Sequence, residues 1–173
     1  MNGGAEEAVL ITGVYGSGKS AVAQEIADLP EEREAPYALL DLDFHAWFDT
    51  AGEIGPTEHA MMLKNLAAVV GNFLAAGIRY FVLARAIREG AELDGIRAEL
   101  SMPLRVFGLT VPLRETEERL RHNPTAGRQD DLREAASWIS DSLGTEFEDA
   151  TVPNDRPIRE VAKEILDWLG WRG

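Results

Sequence analysis

The fold class that this 173-residue sequence predicts is α/β, one parallel five-stranded sheet with helices on both faces. Three observations carry the prediction. Strand-like and helix-like stretches alternate from one end to the other, the pattern of a parallel sheet joined by right-handed crossovers. The strand-like stretches are continuous apolar runs, as strands covered on both faces must be. The length suits a single domain, and the chain holds no repeat, linker or low-complexity tract.

Ala8–Thr12 (A-V-L-I-T) is the first buried strand, and Gly18 to about Leu29 the first helix. Pro30–Pro36 (P-E-E-R-E-A-P) ends that helix. Tyr37–Leu42 is a second apolar strand running into D-L-D-F-H-A-W-F from Asp41 to Phe48. After the loop Thr50–Pro56, Thr57 and Glu58 open a long helix to about Ala76, which Gly77 stops. Arg79–Ala84 is the third strand and Gly90–Leu100 a helix. Leu104–Thr110 is the fourth strand, and Pro112 starts a helix through Arg121. A polar break, His122–Asp130, precedes a helix from Asp131 to about Leu143. Glu148–Val152 is a short fifth strand, Pro153–Asp155 a turn and Pro157–Leu169 the closing helix. Trp138, Trp168 and Trp171 fall in or beside helices and read as packing residues.

Between the first strand and the first helix stands G-V-Y-G-S-G-K-S. Gly13, Gly18, Lys19 and Ser20 fit G-x-x-x-x-G-K-[ST], the phosphate-binding loop, and the flanking strand and helix are the context it requires. Its glycines let successive N–H groups turn inward around an anion, and the helix that follows points its positive end there. Main-chain groups of Gly13, Tyr15, Gly16, Ser17, Gly18 and Ala21 complete the cradle. Lys19 reaches the β- and γ-phosphates, and the Ser20 hydroxyl binds Mg²⁺. The chain therefore reads as a binder of ATP with Mg²⁺, although backbone contacts leave the choice between ATP and GTP open.

Composition narrows the partners. The formal net charge of −13 disfavours nucleic acid, which needs a basic surface. The absence of cysteine removes disulfides and thiolate metal sites. The opening M-N-G-G-A-E-E has no signal-like core and no apolar run approaches membrane-spanning length, so a cytoplasmic location is expected.

In such a sheet ligands sit beyond the carboxyl ends of the strands. After strand two come Asp41 and Asp43, two apart and therefore on one side of an extended chain. A carboxylate there holds the Mg²⁺ shell or accepts the acceptor's proton, with solvated or helix-capping acids as the alternative; Asp43 is preferred as the base and Asp41 as a metal-shell or structural partner. His45 and Trp47 follow as acceptor-side candidates, with packing as the equal alternative for Trp47 and a surface role for His45. Strand three ends without the carboxylate that many such proteins carry. Arg85 and Arg88 stand there instead, suited to an anionic acceptor or to ion pairs with Glu89 and Glu92. Arg114, Arg119, Arg121 and Arg128 flank the polar break after strand four. Arg119 on the helix and Arg128 in a closing segment are placed to neutralise charge on a transferred phosphoryl group. Glu115 also suits an i,i+4 pair with Arg119. Asn154, in the turn after strand five, lies where the edge of the base is wrapped.

This order of parts resembles the small-molecule P-loop kinases, the adenylylsulfate kinases most closely among named families. Leu40-Asp41-Leu42-Asp43 is similar to their L-D-G-D-N, which implies that Asp43 is the catalytic aspartate. Pro112-Leu113 and Glu118-Arg119 match their P-L and E-R, which implies that Arg119 is the nucleotide-side arginine. Phe81 to Arg88 loosely echoes their F-I-S-P segment. Their arginine after D-G-D-N has no counterpart beyond Phe44, His45 and Ala46, and Leu120–Gly127 replaces their K-G-L-Y segment. The resemblance implies a three-layer α/β/α P-loop NTPase fold with strand order 2-3-1-4-5, spanning residues 1–173 as one domain. It also implies an acceptor region at about 43–76, a lid at about 121–131, and transfer of the γ-phosphoryl of ATP to a small anionic metabolite. The second class open to the sequence is a nucleotide-binding regulatory switch without an acceptor.

Overall fold

A computed structural model of the chain describes residues 5–29, 36–46, 56–121, 136–138 and 145–171. Its elements in order are β1 (Glu7–Thr12), α1 (Lys19–Asp28), β2 (Tyr37–Asp41), α2 (Leu42–Ala46) and α3 (Pro56–Ala75). There follow β3 (Tyr80–Ala84), α4 (Gly90–Glu99), β4 (Leu104–Thr110) and α5 (Leu113–Arg121). A 3₁₀ turn (Thr145–Phe147), β5 (Ala150–Pro153) and α6 (Ile158–Leu169) close the chain. The five strands form one sheet in the order β2-β3-β1-β4-β5, every pair parallel.

The continuous apolar strands have a direct cause. Successive residues of a strand point to opposite faces, and both faces here are covered. Ala8 and Leu10 of β1 pack with Met62, Leu66 and Val70 of α3 and with Leu93 and Ile96 of α4. Val9 and Ile11 pack the other way, with Val22 and Ile26 of α1 and Val161 and Ile165 of α6. Each of the Val, Leu, Ile and Met side chains among these adds about 1.5–3 kcal/mol of hydrophobic stabilisation when fully buried. The arrangement leaves the carboxyl ends of all five strands on one edge, at Thr12, Asp41, Ala84, Thr110 and Pro153.

Helix α3 stops where expected. Gly77 stands at φ +92°, its N–H donates to Leu74 and the Ile78 N–H to Phe73, the paired closure that a left-handed residue permits.

Most element boundaries shift by a residue or so from the sequence reading, and two of the corrections have an identifiable cause. The expected extended chain through Leu42 ends at Asp41, because the ladder with β3 ends at the Asp41–Ala84 pair. The Asp41 Oδ1 then accepts the Asp43 N–H at 3.2 Å, a local bond that turns the chain into the short helix α2. Asp43 is thus helical rather than extended. The fifth strand begins at Ala150 instead of Glu148. There the Asp149 carboxylate takes the Val106 N–H at 2.7 Å, replacing a main-chain acceptor with a side chain. Of the helix expected from Asp131 to Leu143, residues 136–138 are described and are helical.

Candidate active site

The chain leaves β1 at Thr12 and enters α1 at Lys19 through a loop with Gly13, Gly16 and Gly18 all at positive φ. The Ser17 N–H closes back on the Val14 carbonyl at 3.1 Å. Gly18 sits at φ +91°, and a Cβ on it would lie 2.6 Å from Asn154 Nδ2, so both conformation and space exclude a side chain. Lys19 is 7% exposed. Its Nζ donates to the Val14 carbonyl at 3.1 Å and lies 5.2 Å from the centre of the Tyr15 ring. Ala21 occupies the exposed side of the first turn of α1.

Behind the loop, Asn154 is buried, its N–H on the Thr110 carbonyl at 2.8 Å and its Nδ2 on the Ser17 carbonyl at 2.7 Å. Arg119 reaches the same Ser17 carbonyl with Nη1 at 3.3 Å, and its Nη2 donates to the Asn154 carbonyl at 2.8 Å and to the Glu115 carboxylate.

On the β2 side, Ser20 Oγ donates to Asp41 Oδ2 at 2.7 Å. The Arg85 guanidinium meets Asp43 Oδ1 at 3.1 Å. The segment after β3 is strapped to β1, with the Arg85 N–H on the Ile11 carbonyl (3.2 Å) and the Ile87 N–H on Thr12 Oγ1 (3.0 Å). Burial pushes the Asp43 carboxyl above the ordinary aspartate value of 3.8; Arg85 and Lys19 pull it back, and Asp41 and Glu58 add to the rise. A carboxylate so placed is more basic than one in water, as a group that accepts a proton should be.

Among the described residues no cluster of three or more His, Cys, Asp or Glu could hold a metal. The pair Ser20 Oγ and Asp41 Oδ2 is the kind of hard-oxygen set that suits Mg²⁺, which takes one or two protein oxygens and the rest from phosphates and water.

No family model and no curated protein matches the sequence. Solved structures do. An APS kinase from Mycobacterium tuberculosis, in complex with AMPPNP and APS, superposes with a TM-score of 0.68 at 22% identity over 96% of this chain and 98% of that one. A sugar kinase from Janibacter sp. HTCC2649 gives 0.67 at 18% identity over 96% and 95%. A gluconokinase from Sinorhizobium meliloti 1021 gives 0.63 at 20% identity over 95% and 91%. The fold is that of the small-molecule P-loop kinases.

Within this kinase fold, Lys19, Ser20, Asp41, Asp43 and Arg85 gather at one edge of the sheet, and Arg119 and Asn154 stand behind the loop. Arg85 pairs with Asp43 rather than with Glu89 or Glu92, because β2 and β3 are neighbours and bring their ends together. Arg88 lies over the Trp138 ring at 5.4 Å, and Trp138 is buried with Val14 and Ala86. The tryptophan is a packing residue, yet what it packs against is the Gly13–Ser20 loop at Val14, which no local pattern announces. Of His45 the described contact is its carbonyl, which takes the Asn65 Nδ2 at 2.8 Å and ties α2 to α3. Phe44, beside Asp43, is 69% exposed. Trp47 and Arg128 lie outside the described residues. Glu58, whose charge acts on Asp43, was not singled out by the sequence as a site residue, since it stands at a helix start where acids are ordinary.

Among the described residues, no helix is long and apolar enough to cross a membrane.

Proposed function

We propose that the chain is an ATP-dependent phosphotransferase acting on a hydroxyl or phosphate of a small anionic metabolite. The observation that carries this reading is the Asp43 carboxylate: raised by burial, held by Arg85 at 3.1 Å and within the field of Lys19. A carboxylate set against a phosphate loop is where an acceptor oxygen would be deprotonated.

Gly13–Ser20 cradle the β- and γ-phosphates, and Lys19 leaves the Val14 carbonyl to bind them. Bound Mg²⁺ supplies positive charge across the phosphate oxygens, with Ser20 and Asp41 as the residues that would hold it. Asp43 takes the proton of the acceptor hydroxyl as that oxygen bonds to the γ-phosphorus. The bond to the bridging oxygen breaks, and ADP departs with its electron pair. Arg119 lends charge from behind the loop, and Arg128, in the 121–131 lid, completes the screening of the transferred group. The acceptor side comprises residues 43–76, with His45 and Trp47, together with Arg85 and Arg88. Arg85 Nε is buried without a hydrogen bond among the described residues, a donor suited to an anionic acceptor.

The test is ADP release measured with ATP alone and with a panel of small hydroxyl-bearing anions. Release is slow alone and rises with the matching acceptor. Asp43→Asn lowers the acceptor-dependent rate by about 10²-fold and leaves ATP binding intact. Normal turnover by Asp43→Asn removes the base assignment. Release that ignores every acceptor and responds to a protein partner moves the chain into the regulatory class.

A further inference from the structure

The carbonyl of Ser17 accepts from both Asn154 Nδ2, at 2.7 Å, and Arg119 Nη1, at 3.3 Å. The donors come from segments that follow two different strands, β5 and β4. Neither is loosely placed. Asn154 is 1% exposed, its N–H bound to Thr110 and its carbonyl to Arg119 Nη2 at 2.8 Å. Arg119 is braced by Glu115 one turn back on α5. The opposite amide orientation would set Asn154 Oδ1 against the Ser17 carbonyl, oxygen on oxygen, so the amide must donate.

The consequence follows from peptide geometry. The described peptide bonds include no cis bond, and across a planar trans unit the C=O and the next N–H point in opposite directions. A Ser17 carbonyl turned toward Asn154 and Arg119 therefore turns the Gly18 N–H away from them. Gly18 itself fits this pair, for a Cβ there would meet Asn154 Nδ2 at 2.6 Å and Arg119 Nη1 at 3.5 Å.

We infer that Asn154 and Arg119 are positioning residues, a two-pronged latch on the outer side of the loop that aims the Gly18 N–H at the phosphates and so sets phosphate affinity. The inference rests on the phosphate-binding reading of Gly13–Ser20. It differs from the expectations that Asn154 wraps the edge of the nucleobase and that Arg119 neutralises charge on the transferred phosphoryl group, and the readings are separable.

The probe is inorganic tripolyphosphate with Mg²⁺, compared with ATP and Mg²⁺ by titration calorimetry on the full chain. Asn154→Ala weakens both ligands by the same factor, roughly tenfold, the order expected for one buried hydrogen bond. Arg119→Ala weakens both by less, and the double variant falls short of the product of the two, since both donors share one acceptor. In turnover, the KM for ATP rises more than kcat falls. Weaker ATP binding with unchanged tripolyphosphate binding means that these side chains read the base, and it overturns the latch. A lowered thermal midpoint with both affinities unchanged overturns it too. If Asn154→Ala does not fold, Arg119→Ala, whose side chain is 33% exposed, reads the same carbonyl. Wild-type protein that binds neither probe refutes the phosphate-binding reading itself, whereas wild-type binding with unaffected variants refutes only the latch.

Discussion

On one side of Lys19 the site consists of main chain, a buried amide and the Arg119 guanidinium behind them; on the other it consists of carboxylates and the Arg85 guanidinium in partial contact with water. The loop side holds Asn154 at 1% exposure, and Asn154 and Arg119 both donate to the Ser17 carbonyl while Arg119 also donates to the Asn154 carbonyl. The acceptor side holds Asp43 with its side chain 48% exposed beside an Arg85 at 14%. On the proposed reading the difference reflects two tasks. A phosphate is the same in every nucleotide, so it can be met by a rigid ring of N–H groups. An acceptor varies, and proton transfer needs a group whose charge can change, which side chains just beyond β2 and β3 would supply.

Breaking the loop side produces the largest effect. Lys19→Met lowers kcat/KM by roughly 10³-fold, read in coupled ADP-release kinetics, because a charge aimed at the phosphates is lost. A deficit of only a few-fold would mean that Lys19 remains on the Val14 carbonyl during turnover. Gly18→Ala comes next. The Cβ must enter a left-handed conformation 2.6 Å from Asn154 Nδ2, so unfolding free energy in denaturant falls by about 1–3 kcal/mol. Unchanged stability would show that loop and asparagine are not fitted to each other.

The acceptor side answers to pH instead. Arg85 lowers the proton affinity of Asp43, so Arg85→Met removes a charge that favours the carboxylate. The acid limb of the kcat/KM profile then moves to higher pH. A limb that moves down would separate Asp43 from the proton transfer.

The smallest effect lies outside both sides. The Glu148 carboxylate rests against Gly108 in β4, where a Cβ would meet it at 2.0 to 2.2 Å, and burial pushes its carboxyl above the ordinary 4.5, against the opposing hydrogen bond from Thr151. Proton binding is tighter in the folded state. The cost is therefore absent well below pH 4.5 and grows as pH rises through the folded value. Glu148→Gln stabilises the protein near neutral pH and is neutral in acid, by thermal midpoints across the range.

What was legible in the sequence was local or periodic. The loop declares itself because G-V-Y-G-S-G-K-S lies within eight consecutive residues, each constrained by the same turn. The strands declare themselves because a sheet covered on both faces needs apolar residues at every position, as Val9 and Leu10 show by joining opposite clusters. The place of Asp41 and Asp43 after the second strand was legible, although the helix that holds Asp43 was not, because one side-chain bond from Asp41 decided it.

Composition and spacing determined a parallel sheet and, after its first strand, a glycine-rich loop of the phosphate-binding pattern, for that information sits within a few turns of chain. Only the tertiary structure decided that Arg85 faces Asp43, 42 residues away, that Trp138 seats on Val14, and that Asn154 reaches Ser17 across 137 residues. Those meetings depend on strand order and on which face each segment covers, and a chain read residue by residue carries neither until the sheet has closed.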